Sequence, residues 1–140
     1  MSVVARSASA LGAGVLLVLA VAACSSAPAA TVPLERFSEV CLKQPDDIVL
    51  ADVAFLKDTD TRSAELRRLA DQVGAKREKA QNLVAEYGQS VELDALVTTA
   101  ERYEAALAQY EANAEQFGEP LGDATLAEGA FYAACSAAMP

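Results

Sequence analysis

The fold is decided by residues 66–110, which read LRRLADQVGAKREKAQNLVAEYGQSVELDALVTTAERYEAALAQY. Apolar side chains recur here in alternating steps of three and four residues, a spacing that puts them on one face of a helix. The first run consists of Leu66, Leu69, Val73, Lys76, Ala80, Leu83 and Tyr87. The second run consists of Leu93, Leu96, Ala100, Tyr103, Leu107, Tyr110, Ala114 and Phe117. Only Lys76 breaks the apolar pattern, which therefore predicts two amphipathic helices.

The link between the two runs predicts a helical hairpin. Gly88 accepts the positive φ that often ends a helix, and Ser90 is a good N-cap for the next one. Gly118 and Pro120 are expected to end the second helix. The helices should therefore span roughly residues 60–87 and 91–117, and so short a link makes them antiparallel over about 40 Å.

Residues equidistant from the turn are expected to face each other across this hairpin. The expected pairs are Leu83 with Leu96, Ala80 with Ala100, and Val73 with Leu107. Lys76 then falls opposite Tyr103, where its ammonium group can lie near Glu101 or Glu104. The first helix carries most of the basic residues and the second carries mostly acidic ones, so antiparallel packing brings opposite charges together.

Two terminal helices are expected to cover the hairpin. A short one begins at Thr31 or Val32 and continues through Cys41, because apolar residues recur there at helical spacing. Another is expected to begin after Thr125, because Thr125 and Glu128 have the spacing of a capping box. The sequence therefore predicts an all-α fold, a small helical bundle built on the hairpin.

The segment before the hairpin combines apolar and acidic residues. Residues 46–57 are apolar almost throughout, so a buried helix capped by Asp46 fits them best, and a lone strand is the alternative. Asp58 and Asp60 are spaced like the first ligands of a calcium loop, but the glycine and glutamate that such a loop requires further along are missing. Capping of the next helix by Asp60 or Thr61 is therefore the favoured interpretation.

The N-terminus has the pattern of an export signal. Arg6 precedes an apolar run over residues 10–23, which has the length of a signal-peptide core and is too short for a spanning helix. The run ends in Val21-Ala22-Ala23-Cys24. This motif resembles the lipobox of bacterial lipoproteins, an aliphatic residue and two small ones before a cysteine. The alternatives are an uncleaved anchor and an ordinary signal peptide with a chance cysteine.

The resemblance, which covers about the first 25 residues, implies a domain organisation. Cys24 would receive a diacylglyceryl group and become the first residue after cleavage, which makes residues 1–23 the signal peptide. Two acyl chains anchor a protein stably, so the chain is expected at the cell membrane, on its extracytoplasmic face. Residues 24–31 lack large apolar groups and are expected to be a flexible tether, followed by a helical domain over 32–140. The alanine-rich composition is typical of a high-GC genome, such as that of an actinobacterium.

Two cysteines remain after the lipobox. An exported domain meets an oxidising environment, so Cys41 and Cys135 are expected to form a disulfide that clamps the terminal helices together. Closing a loop of roughly a hundred residues would stabilise the fold by up to about 4.7 kcal/mol. Two buried free thiols are the alternative.

Charge and composition exclude several classes of function. The net charge of −9 becomes −10 when residues 1–23, which contain Arg6, are removed, so nucleic acid is not an expected partner. The same negative charge means that membrane attachment is expected to be covalent. The chain contains no histidine, on which serine and cysteine nucleophiles and zinc sites usually rely. No catalytic residues, metal site or cofactor are therefore predicted.

The sequence favours two hypotheses for function, and it leaves open an enzyme that uses carboxylates or tyrosines alone, the least expected of the three, as well as self-association through the heptad surface. A non-enzymatic lipoprotein that binds a protein partner is favoured, because an anchor, a tether and a heptad hairpin occur without catalytic groups. Tyr87, Tyr103 and Tyr110 lie on the apolar stripe, where they would pack in the core or contribute to an interaction surface. The alternative is a carrier of a small molecule or lipid, which requires a pocket between the helices.

Overall fold

The computed structural model describes residues 30–115 and 118–140, and these residues form an all-α bundle without strands. Its five helices are α1 (Leu34–Cys41), α2 (Leu50–Ala54), α3 (Thr59–Tyr87), α4 (Val91–Ala112) and α5 (Glu119–Ala138). The expected signal peptide, Cys24 and nearly all of the tether lie outside the described residues. In the part of the chain that is described, no helix has both the length and the hydropathy needed to cross a membrane.

The central hairpin is confirmed. The Thr61 N–H donates to Asp58 Oδ2 at 2.8 Å, so Asp58 caps α3. The expected caps, Asp60 and Thr61, were wrong, because they lie two and three residues further along, inside the helix. Gly88 ends α3 with a φ of 88°, and the Ser90 hydroxyl accepts from the Leu93 N–H at the start of α4. The link therefore turns the chain as its residue types predict.

The register of the hairpin agrees with the predicted pairing of residues that lie at equal distances from the Gly88 turn. Both members of each expected apolar pair are buried. Arg77 Nε lies 2.5 Å from Glu104, and Arg67 Nε lies 2.6 Å from Glu111, each pair being nearly equidistant from the turn. A Cβ atom added at Gly74 would lie only 2.8 Å from Glu104, so the glycine leaves room for the carboxylate that Arg77 binds.

The predicted end of α4 was wrong. The helix stops at Ala112 and does not continue to residue 117. Asn113 Nδ2 donates to the Gln109 carbonyl at 2.8 Å, and such side-chain bonds favour turns over further helix. Ala114 is buried although it follows the helix. The apolar spacing therefore extends past the end of α4 and does not mark where the helix stops.

The start of the C-terminal helix was also wrong. Helix α5 begins at Glu119, directly after Gly118, whose φ is 115°. Pro120 lies in its first turn, where the missing N–H costs nothing. Thr125 is inside the helix and donates to the Leu121 carbonyl, so the proposed capping box does not form. Gly118 and Pro120 therefore introduce α5, and the prediction that they end the second helix was wrong, because α4 stops at Ala112.

Helices α1 and α2 are shorter than expected. Helix α1 starts after Pro33, two to three residues later than predicted. Residues 46–57 form neither a strand nor a full-length helix, since only Leu50–Ala54 is helical. Asp46 does not cap it; its carbonyl accepts from Gln72 instead. The loop before α2 is therefore held to α3 by side-chain hydrogen bonds.

A buried arginine closes the end of the bundle opposite the Gly88 turn. Arg62 is only 2% exposed, and its guanidinium donates to the carbonyls of Leu56 and Ala114. Leu56 follows α2 and Ala114 follows α4, so neither carbonyl has a donor within its own helix. The first turn of α3 is thereby joined to both neighbouring chain segments.

The Cys41–Cys135 disulfide is confirmed. The two Cα atoms lie 5.5 Å apart, and the bridge joins positions 94 residues apart in sequence. It links the last residue of α1 to the last turn of α5, and both cysteines are buried. The bridge therefore fixes the short α1 helix, which has little surface of its own to bury.

Replacing both cysteines by serine (Cys41→Ser with Cys135→Ser) should lower the free energy of unfolding by about 2–5 kcal/mol, because the unfolded chain loses its cross-link. Urea denaturation followed by circular dichroism measures the change. Cys24→Ser in unlipidated protein is the matched control, since it removes a thiol that takes no part in the bridge and should leave the midpoint unchanged. An unchanged midpoint in the double variant would contradict a stabilising role for the bridge.

Candidate functional site

A cleft of about 210 Å³ lies where the loop before α2 meets α3, α4 and α5. Its wall combines charged, polar and aromatic side chains. The lining residues are Lys43, Asp47, Ile48, Val49, Leu69, Gln72, Val73, Lys76, Tyr103, Glu128, Phe131 and Tyr132. Segments far apart in sequence therefore contribute to one concave surface.

Lys76 forms one side of the cleft, and its predicted partners were wrong. Its Nζ lies 3.2 Å from Asp47 Oδ2 and donates to the carbonyls of Leu42 at 3.1 Å and Val40 at 3.4 Å. The carbonyls near the end of α1 have no helical donors, so the buried ammonium group satisfies them. Glu104, one of the two expected partners, binds Arg77 instead.

Asp47 faces Lys76 from the loop. Burial alone would raise its pKa, but hydrogen bonds from the Gln44 N–H and Lys76, together with the positive charge of Lys76, lower it overall. The carboxylate is therefore negative in the folded protein and neutralises the buried ammonium group. The pair holds the loop against α3 and so fixes that wall of the cleft.

Tyr103 and Glu128 form the opposite polar pair. The Tyr103 hydroxyl donates to Glu128 Oε2 at 2.6 Å, which joins α4 to α5 inside the cleft. Burial raises the pKa of Tyr103 far above its usual value, and the hydrogen bond to Glu128 raises it further. The phenol therefore stays a neutral donor at physiological pH and orients the carboxylate of Glu128.

Tyr132 lies at the mouth of the cleft and is 40% exposed. Partial burial is the main cause that raises the pKa of Tyr132, and the negative charges of Glu128 and Asp47 raise it further. Both carboxylates therefore lie near this phenol. Its side chain is therefore partly exposed where it lines the cleft.

The arrangement suits binding more than reaction chemistry. Asp47 and Lys76 neutralise each other, and Glu128 already accepts from Tyr103. A tyrosine with a raised pKa is a weak acid and a poor nucleophile. Within the described ranges, no group of acidic or sulfur side chains has the arrangement needed to hold a metal ion. The cleft can instead offer hydrogen bonds and an aromatic face to a small polar group.

The three tyrosines predicted from the stripe do not form one surface. Tyr103 and Tyr110 are buried, at 3% and 0% exposure, and Tyr87 is half-buried at the turn end of the bundle. Core packing, the ordinary expectation, therefore applies to Tyr103 and Tyr110. Only Tyr103 reaches the cleft, through its hydroxyl.

Sequence reasoning missed Asp47, Glu128 and Tyr132 as site residues. Asp47 lay in an acidic stretch interpreted as helix caps, and Glu128 was assigned to a capping box. No local pattern connects them, because they are brought together only when α5 packs beside the loop before α2. The charged position Lys76 in an otherwise apolar stripe was the one available signal.

Comparisons with known proteins gave no match. No family model, no curated protein and no solved structure is significantly similar to this chain. The proposal for its function therefore depends on the residues of the chain and on the geometry of the cleft.

Tyr103→Phe should lower the free energy of unfolding by about 1–2 kcal/mol, because it removes a donor to a carboxylate. Tyr110→Phe is the matched control: the Tyr110 hydroxyl is buried and has no hydrogen-bond partner among the described residues, so its loss should cost nothing or stabilise the protein. Urea denaturation of both variants measures the difference. Equal losses would show that the bond to Glu128 does not stabilise the fold.

Proposed function

We propose that the chain is a lipid-anchored lipoprotein of the cell envelope, held through Cys24 at the extracytoplasmic face of the membrane, and that its helical domain binds a protein partner without catalysing a reaction. The motif Val21-Ala22-Ala23-Cys24 supports the anchor. The disulfide between Cys41 and Cys135 supports an oxidising compartment outside the cytosol, where such bridges persist.

The cleft is the observation that carries the binding proposal. Its volume of about 210 Å³ is below the range of about 300–1,000 Å³ typical of small-molecule pockets and suits a single side chain of a partner. Tyr132 at the mouth offers the aromatic contact that is common in protein interfaces. The partner would insert one residue beside Glu128, a lining carboxylate that forms no ion pair within the described residues.

The charge of the domain indicates what kind of partner fits. Removal of the signal peptide takes the net charge from −9 to −10, because Arg6 is lost with it. Complementary charge speeds association and excludes wrong partners. The expected partner therefore presents a basic surface, with a lysine or arginine that would pair with Glu128 at the cleft, and nucleic acid is not an expected partner.

A carrier of a small polar molecule is the second candidate, favoured by the polar wall of the cleft and not by its volume. The ion pair between Lys76 and Asp47 and the hydrogen bond between Tyr103 and Glu128 make its wall polar. A small polar molecule fits such a wall because it can form hydrogen bonds with these groups. An acyl chain would displace their water and offer no hydrogen bonds in return. Native mass spectrometry of the purified protein would detect such a molecule as a mass that is lost on denaturation.

Lipidation is expected to appear in the mass of the N-terminal peptide. Protein isolated from its native host should begin at Cys24 and carry a diacylglyceryl group, because the motif that ends at Cys24 resembles a lipobox. Cys24→Ala should prevent both the modification and membrane association. An unmodified N-terminus at another residue would contradict the anchor.

Photocrosslinking in intact cells tests the partner. A benzoyl-phenylalanine in place of Tyr132 should crosslink one protein with a basic surface, because this position lies at the mouth of the cleft. The same group in place of Leu126, which is exposed on α5 but does not line the cleft, is the control. Glu128→Gln should reduce the adduct, since it removes the negative charge offered to the partner.

Two outcomes would count against a protein partner at the cleft. Adducts with lipid alone, or no adduct at all, would contradict protein binding. Identical adducts from the Tyr132 and Leu126 positions would contradict the cleft as the binding site.

A further inference from the structure

Three chain segments meet at the end of the bundle that contains the Gly88 turn, called here the turn end. They are residues 30–34, residues 87–92 and residues 137–140, and they surround a shallow hollow of about 360 Å³. Alanine and larger apolar side chains form much of its wall. The chain that leads from Cys24 therefore enters the described domain at this end.

The covalent path from Cys24 limits how the domain can sit. Six peptide steps separate Cys24 from Ala30, and an extended chain covers at most about 20 Å over that length. The hairpin itself is about 40 Å long, since α3 has 29 residues. If Cys24 carries the lipid anchor, the turn end stays near the bilayer and the opposite end can point away.

Two large apolar side chains are exposed at this end. Leu34 is 60% exposed and lines the hollow, and Val91 is 82% exposed between Ser90 and Glu92, which line it as well. Single exposed apolar residues are common and need no explanation, and Phe55 and Leu126 are further examples. Leu34 and Val91 differ because the chain leading from the anchor enters beside them.

The charges at the turn end determine which surface it can approach. Arg36 pairs with Glu86 at 2.8 Å, but Glu35, Glu92 and Asp94 are exposed and negative. Such an end is repelled by anionic headgroups and can approach uncharged, zwitterionic ones. Two aliphatic side chains are too few to hold a protein on a membrane alone. An attached lipid makes their contact intramolecular and so supplies the missing affinity.

We propose that the turn end of the bundle contacts the lipid surface, with Leu34 and Val91 among the headgroups. This inference rests on the proposed lipid anchor at Cys24. It orients the hairpin so that the residues around Phe55 and Arg62 face away from the membrane. The contact fixes the height at which the cleft is presented to a partner.

Tryptophan fluorescence tests this orientation, because the chain has no tryptophan of its own. Leu34→Trp and Val91→Trp place the probe at the turn end, and Phe55→Trp, at a site 84% exposed near the opposite end, is the matched control. All three positions are exposed, so the substitutions leave the core unchanged. The lipidated proteins are reconstituted in phosphatidylcholine vesicles with and without brominated acyl chains.

The expected result is a blue shift and a partial loss of emission in brominated vesicles for Leu34→Trp and Val91→Trp, with no loss for Phe55→Trp. Vesicles rich in phosphatidylglycerol should reduce the quenching at both turn-end positions. Quenching of Phe55→Trp, or of none of the variants, in protein that floats with the vesicles would overturn the orientation and leave the anchor intact. Protein that neither carries acyl chains nor floats would overturn the proposed anchor and the inference with it.

Discussion

The seam between α3 and α4 is the constraint on which the rest of the structure depends. Apolar side chains repeat along both helices at heptad spacing, so the two faces match only when the helices run antiparallel from the Gly88 turn. Ala100 and Ala80 are fully buried on this seam. The shorter elements α1, α2 and the loop between them have too little apolar surface to fold alone, and they are ordered by packing against this hairpin, by the disulfide and by Lys76.

Periodicity predicted the hairpin because its signal is local and repeated over many turns. The disulfide was predictable for a different reason, since two cysteines remained once Cys24 was assigned to a motif that resembles a lipobox. The ends of α4 and α5 were not predictable, because Gly118 and Pro120 serve equally well after one helix and before the next. Ala114 continued the apolar spacing outside the helix, and Asn113 ended the helix through a side-chain bond that periodicity does not record.

The cleft was less predictable than the fold. The stripe identified Tyr103 as a core position, but its hydroxyl acquires a role only beside Glu128, which α5 contributes. The Asp47 and Glu128 positions are joined by no motif, and their charges looked like ordinary helix caps. When a binding site is made from distant segments, a single sequence reveals it only where a site residue interrupts a regular pattern. Lys76 is such a residue, because it is charged in an otherwise apolar stripe.

That disturbance also bears on what the cleft is for. A buried ion pair is a poor source of stability, because desolvation of both charges offsets most of their attraction, and apolar residues of similar size often serve as well. An apolar residue at position 76 would complete the stripe and keep the hairpin. It would not hold Asp47 or satisfy the Val40 and Leu42 carbonyls, so the loop wall would be free to move. The lysine is therefore better explained by the shape and charge of the cleft than by the stability of the bundle.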